Sequence, residues 1–185
     1  MRVISGIARG TSLFPPHGEK TRPTSDFVKE NLFNIIMDDV RGTNFLDLFA
    51  GSGAIGIEAL SRGAIHATFV DISQKCVDLT KRNLEKTRLK EKATVMKGDA
   101  ASTIKKLAGQ KFDIIFLDPP YDESLANKTL QQIYNGDIME EEGYIILEMD
   151  RSVDTPKIDG LITFKEREYS STKLVFLEKA QGEII

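Results

Sequence analysis

Asp47-Leu48-Phe49-Ala50-Gly51-Ser52-Gly53-Ala54-Ile55-Gly56 closes the apolar run Phe45–Phe49 and opens a helix-like stretch near 54–62. A strand, a tight glycine turn and a helix follow one another here without a spacer. Read outward from this point, strand-like runs recur at Ala67–Val70, Ala93–Met96, Asp113–Leu117 and Tyr144–Leu147. Helical spacing fills the gaps near 73–87, 100–108 and 124–135. Strands alternating with helices predict an α/β chain with a mainly parallel sheet covered on both faces. The last two runs, Leu161–Glu166 and Lys173–Glu178, have only Arg167–Thr172 between them. They predict an antiparallel hairpin on one sheet edge. The fold expected is a Rossmann-like, doubly wound sheet of this kind.

Upstream, Phe27, Val28, Leu32, Phe33, Ile35 and Ile36 are spaced for an amphipathic helix over about 25–38, with Thr24, Ser25 and Asp26 as caps. Before it, Arg2–Ser5 and Thr11–Phe14 flank Gly6 and Gly10 and predict a small hairpin. Pro15-Pro16-His17-Gly18 starts a loop that runs to Pro23. Two regions are expected: an N-terminal hairpin and loop over 1–23, a candidate RNA-contacting extension, and a catalytic domain over 24–185.

Glycines at the end of a strand let the backbone turn and let a ligand approach it. Gly51, Gly53 and Gly56 spell a dinucleotide fingerprint, and Asp71 follows at the spacing that pattern requires. A carboxylate there accepts ribose hydroxyls from any adenosine cofactor, so NAD and S-adenosylmethionine both remain. Asp99, at the end of the third strand, is a candidate for the adenine amine or for a helix cap. Asp47 tilts the choice. Buried in an apolar strand end, it wants a partner; an ammonium or sulfonium supplies one, or it holds the N–H groups of the glycine loop. A pyrophosphate would be repelled. The candidate cofactor residues are Asp47, Phe49, Ala50, Gly51, Ser52, Gly53, Gly56, Asp71 and Asp99, with S-adenosylmethionine the favoured cofactor.

Asp118-Pro119-Pro120-Tyr121 follows the buried run Phe112–Leu117 and is the most specific feature. An exocyclic amine on a base is a poor nucleophile because its lone pair is conjugated with the ring. The Asp118 carboxylate and the Pro119 carbonyl can take its two N–H bonds and turn the lone pair out of the ring plane. Pro119 and Pro120 fix φ and donate no hydrogen bond, so the acceptors stay rigid. Tyr121 offers a face on which an extruded base can stack, worth roughly 1–3 kcal/mol. These four residues are the candidate catalytic set for methyl transfer to an amine.

Bulk properties narrow the field. The 185 residues are one domain's worth, and no apolar run approaches the roughly 18 residues of a spanning helix. Cys76 is the only cysteine, and His17 and His66 are the only histidines, which argues against a metal site built from them. A cytoplasmic monomer without membrane or metal is expected. Net charge is −3, awkward for a nucleic-acid partner, but residues 1–25 carry +3 and the remainder −6.

The chain resembles the RsmD-type methyltransferases over about Arg2–Glu178. The matching pieces are Arg2–Gly6 with Arg9-Gly10, Arg22–Asp26 running into Val28-Lys29-Glu30 and Leu32–Asn34, Leu46–Gly56 with Glu58–Ala64, and Asp118–Tyr121. The resemblance implies a class I enzyme that moves a methyl group from S-adenosylmethionine to the N2 amine of a guanine in small-subunit ribosomal RNA, within a partly assembled subunit. It implies that the glycine loop, Asp71 and Asp99 bind the cofactor, and that Arg22, Thr24 and Lys29 lie beside its methionine end or the RNA. Lys29 stands where arginine is usual, and Ser170 where the terminal hairpin often has glycine. The alternatives are methylation of another RNA or DNA amine (adenine N6, cytosine N4), a nicotinamide oxidoreductase, and a non-catalytic ribosome-assembly factor.

Overall fold

The apolar strands identified in the sequence form one seven-stranded sheet. In the computed structural model, which describes residues 1–16, 26–120 and 123–180, they are β1 (Asn44–Asp47), β2 (His66–Asp71), β3 (Ala93–Lys97), β4 (Phe112–Leu117), β5 (Met139–Asp150), β6 (Leu161–Glu168) and β7 (Thr172–Lys179). The helices are α1 (Asp26–Ile35), α2 (Ala54–Ser61), α3 (Gln74–Thr87), α4 (Ala100–Lys106) and α5 (Glu123–Asn135). Strand order is β3-β2-β1-β4-β5-β7-β6. The first five strands run parallel, and β7 is antiparallel to both β5 and β6. This is the expected Rossmann-like sheet with its antiparallel end.

Successive strand residues face opposite ways, and both faces are covered. Phe45, Phe69, Phe116 and Phe176 pack with Leu32, Phe33, Ile57 and Leu84 on one side. Leu46, Val70, Leu117 and Leu177 pack with Ile104, Leu130 and Ile133 on the other. Two aromatic or aliphatic layers one residue out of step explain why the strands read as continuous apolar runs.

Three boundaries differ from the reading. Helix α1 stops at Ile35, and the chain turns through Ile36–Val40 with Asp39 and Val40 N–H groups on the Ile36 carbonyl. Strand β1 ends at Asp47, because Leu48 and Phe49 belong to the turn. The N-terminal hairpin forms but is short, with backbone bonds joining Met1 and Val3 to Gly10, Thr11 and Leu13 around a bridge between Arg2 and Ser12. The reason is local: the N–H groups of Ile4 and Ser5 donate to the Glu58 carboxylate at 2.8 and 2.9 Å rather than to a partner strand. Val3, Ala8 and Leu13 meanwhile enter the same apolar cluster as α1 and α2.

Glu58 is 0% exposed, and charge burial of that kind needs partners. It has Arg62 Nε at 2.8 Å, Lys29 Nζ at 3.6 Å and the two backbone donors. Lys29 is 1% exposed and also donates to the Arg2 carbonyl. Its role is therefore a correction to the one implied by resemblance. The ammonium joins α1, α2 and the N-terminal segment, and a fully buried amine does not reach RNA.

Candidate active site

In an open parallel sheet the strand order reverses at a switch point, and ligands sit at the carboxyl ends beside it. Here β2 lies on one side of β1 and β4 on the other. Asp47 is in register with Phe116, and the Leu48 N–H donates to the Phe116 carbonyl at 3.1 Å. The chain then leaves the sheet on both strands, and a cavity of about 550 Å³ opens between the two exits.

One wall is the glycine turn. Gly51 and Gly53 have φ of +55° and +76°, which favours glycine, and Gly53 starts α2. The turn is held from below: the Asn83 amide donates to the Ser52 carbonyl at 2.8 Å, and the Thr80 hydroxyl to that of Gly51 at 3.2 Å. Asp71 accepts from the N–H groups of Gly51 at 2.9 Å and Ser73 at 2.8 Å, one on each oxygen. A carboxylate oxygen has two acceptor sites, so capacity remains for a hydroxyl ligand. Gly56 serves packing: a Cβ there would meet Phe69 Cε1 at 2.3 Å.

Asp47 is 1% exposed and accepts from the Gly56 N–H at 3.2 Å. Burial, with the nearby Asp118 and Asp71 carboxylates adding to it, pushes its carboxyl up to about 7 against the opposing Gly56 bond. Asp118, with Pro119 and Pro120, forms the facing wall. Burial lifts the Asp118 carboxyl to about 6.

Of the residues singled out in the sequence, the cavity brings together Asp47, Phe49, Ala50, Gly51, Ser52, Asp71, Asp118, Pro119 and Pro120. Gly53, Gly56 and Asp99 are not among the lining residues. The Asp99 carboxylate caps α4, accepting from the Ser102 N–H at 2.9 Å and hydroxyl at 2.6 Å, and these bonds lower its pKa. Arg22, Thr24 and Tyr121 lie outside the described residues. The rim also holds residues the sequence reading passed over: Phe27, Val28, Glu148, Asp150 and Tyr169–Thr172. One signal for Glu148 was available, because it ends the apolar run Ile145–Leu147 as Asp47 ends Phe45-Leu46. Tyr169 meets Phe27 edge to face at 6.0 Å across the mouth, a long-range contact with no sequence signature.

Electrostatically the cavity is one-sided. Asp47, Asp71, Asp118, Glu148 and Asp150 line it, and among the described residues no Lys, Arg or His side chain does. Such a site favours a cationic ligand and repels a pyrophosphate.

Comparison with known proteins now bears on this geometry. A family model described as "Conserved hypothetical protein 95" matches residues 1–178. The chain belongs to that family. The family is RsmD-type, as the motifs implied: the chain is 35% identical over 177 residues to "Ribosomal RNA small subunit methyltransferase D" of Haemophilus influenzae, covering 89% of this chain and 92% of the relative. It is 42% identical over 182 residues to "Putative rRNA methyltransferase YlbH" of Bacillus subtilis, covering 97% and 99%. Among solved structures, "Putative methyltransferase yhhF from Escherichia coli" superposes with a TM-score of 0.87 at 29% identity, covering 97% of each chain. This member of the RsmD-type family is an S-adenosylmethionine-dependent methyltransferase. Its residues suit that cofactor: a cavity whose charged side chains are acids, an Asp71 carboxylate with acceptor capacity left for a hydroxyl, and a turn whose backbone admits close approach.

Proposed function

We propose that this enzyme methylates small-subunit ribosomal RNA on the exocyclic N2 amine of a guanine. The observation that carries the reading is a cavity whose charged side chains, among the described residues, are all acids, with Asp118-Pro119-Pro120 as one wall. The names of the relatives support ribosomal RNA as the substrate class.

S-Adenosylmethionine supplies an electrophilic methyl group on a sulfonium. The residues that would hold it are Gly51 and Ser52 through their backbone, Asp71 at the ribose, and Asp47 at the base of the cavity. The chain's own task is to orient the acceptor. The Asp118 carboxylate and the Pro119 carbonyl accept the two N–H bonds of the base amine, turning its lone pair toward the cofactor side. The two prolines keep those acceptors from relaxing. Tyr121 stacks on the extruded base. Alignment of this kind recovers on the order of 7–11 kcal/mol of barrier. After transfer the methylated amine is acidic, and Asp118 would take its proton.

The test is nucleoside mass spectrometry after incubating the protein with S-adenosylmethionine and unmodified small subunits. N2-Methylguanosine is expected. N6-Methyladenosine or N4-methylcytidine as the sole product would replace the guanine reading with another amine.

A further inference from the structure

A cavity walled by five carboxylates cannot also hold the phosphates that flank a target base. The RNA backbone has to be gripped elsewhere, on a molecule whose net charge is −3. From Lys75 to Lys97 the chain carries eight Lys and Arg against three Asp and Glu, all eight of them exposed. This run covers α3, the short 3-10 turn at Lys90–Lys92 and the edge strand β3.

Within it one cluster is built rather than scattered. Arg82 and Lys86, one turn apart on α3, both sit over the Phe14 ring, the guanidinium carbon 4.5 Å and the ammonium 4.2 Å from its centroid. Neither has a carboxylate partner among the described residues, whereas the neighbouring Lys90 pairs with Glu85. Phe14 is itself fixed. The buried Asn83 accepts from its N–H at 2.8 Å and donates to its carbonyl at 3.1 Å. The same Asn83 amide holds the Ser52 carbonyl of the cavity wall. Pro16, two residues beyond Phe14, lines the cavity. The two cations, unpaired among the described residues, are thus tied through one amide to the rim of the site.

We infer that Phe14, Arg82 and Lys86 form a docking surface for the phosphate backbone of the RNA substrate beside the catalytic mouth. The Phe14 ring holds the two charged heads in place, and both cationic residues stay exposed to solvent. A polyanion is the occupant that two adjacent exposed cations fit. This rests on RNA being the substrate.

The experiment measures binding of an unmodified small-subunit ribosomal RNA transcript from about 50 to about 200 mM salt. The variant is R82Q/K86Q, which removes charge but keeps stems that can lie on Phe14. The control is K105Q/K106Q on α4, across the sheet, with the same loss of charge. The expected result is an affinity loss of about ten-fold or more for R82Q/K86Q, with the slope of log K against log salt falling by about 1.4–1.8, as each lost phosphate contact removes about 0.7–0.9. The control should keep the parent's slope, and both variants should keep the parent's thermal midpoint and S-adenosylhomocysteine affinity. Equal behaviour of the two double variants overturns the surface. A parent that shows no salt-dependent RNA binding overturns both the surface and the RNA reading. Salt-dependent binding without guanine methylation overturns the guanine reading alone.

Discussion

At the residue scale, burial moves two cavity carboxyls toward neutral pH. In the proposed mechanism Asp118 must be ionised to accept N–H bonds, and its pKa is lifted to about 6. An acid raised in this way is protonated below about pH 6, so single-turnover methylation should rise through that pH and level off above it. Asp118→Asn should lose at least about 100-fold in kcat, the scale of proton-transfer and acceptor effects, while S-adenosylhomocysteine affinity stays within a few-fold. Loss of cofactor binding instead would move Asp118 from catalysis to binding. Asp47, pushed up to about 7, has the same sign for stability. Its neutral form is favoured in the fold, so its contribution is whole only below its ordinary value of 3.8 and is lost as pH rises from there to about 7. Asp47→Asn should therefore raise the thermal midpoint relative to the parent at pH 8, and by clearly less at pH 5, where only part of that penalty has built up. A gain of equal size at both pH values would mean that the carboxyl is not the cause.

At the element scale, the N-terminal segment, α1 and α2 are joined by one buried acid. Glu58 was not read as special in the sequence, where it is simply an acid between Ile57 and Ala59. Its partners, Ile4, Ser5, Lys29 and Arg62, come from three separate stretches, and only folding brings them together. The same network accounts for the shortened hairpin and for the misreading of Lys29. Glycine-loop, Asp71 and Asp118 placements were legible because their signal is local: an acid or a glycine at the end of an apolar strand. Asp99 sits in the same local pattern but spends its carboxylate on α4, a choice that hinges on Ser102 three residues on. Removing one partner of a buried pair typically costs about 3–5 kcal/mol. Urea unfolding of Glu58→Gln should show a loss of that size, from an uncompensated Lys29. A loss below about 1 kcal/mol would mean that water reaches the network.

For the whole molecule, the alternation of strands and helices foretold the sheet, its parallel sense and its antiparallel edge, since each follows from periodicity and connection length. The rim could not be read that way, because Phe27, Tyr169 and Asp150 reach it from opposite ends of the chain. The cavity lies where the two apolar layers of the sheet meet its carboxyl edge, so a ligand there touches residues from five strands' worth of chain. Binding to the folded state alone must then stabilise the entire domain. At about 100 times its Kd, S-adenosylhomocysteine should add about 2.7 kcal/mol. For a domain of this size that is a rise of roughly 5–11 °C in thermal midpoint, at 2–4 °C per kcal/mol. NAD at the same concentration should leave the midpoint unchanged, because its pyrophosphate would face Asp47, Asp71 and Asp118 with no basic side chain among the described lining residues to offset them. A midpoint that rises with NAD and not with S-adenosylhomocysteine would show that the acids around the cavity are neutralised in solution, and would remove the electrostatic basis for a cationic cofactor.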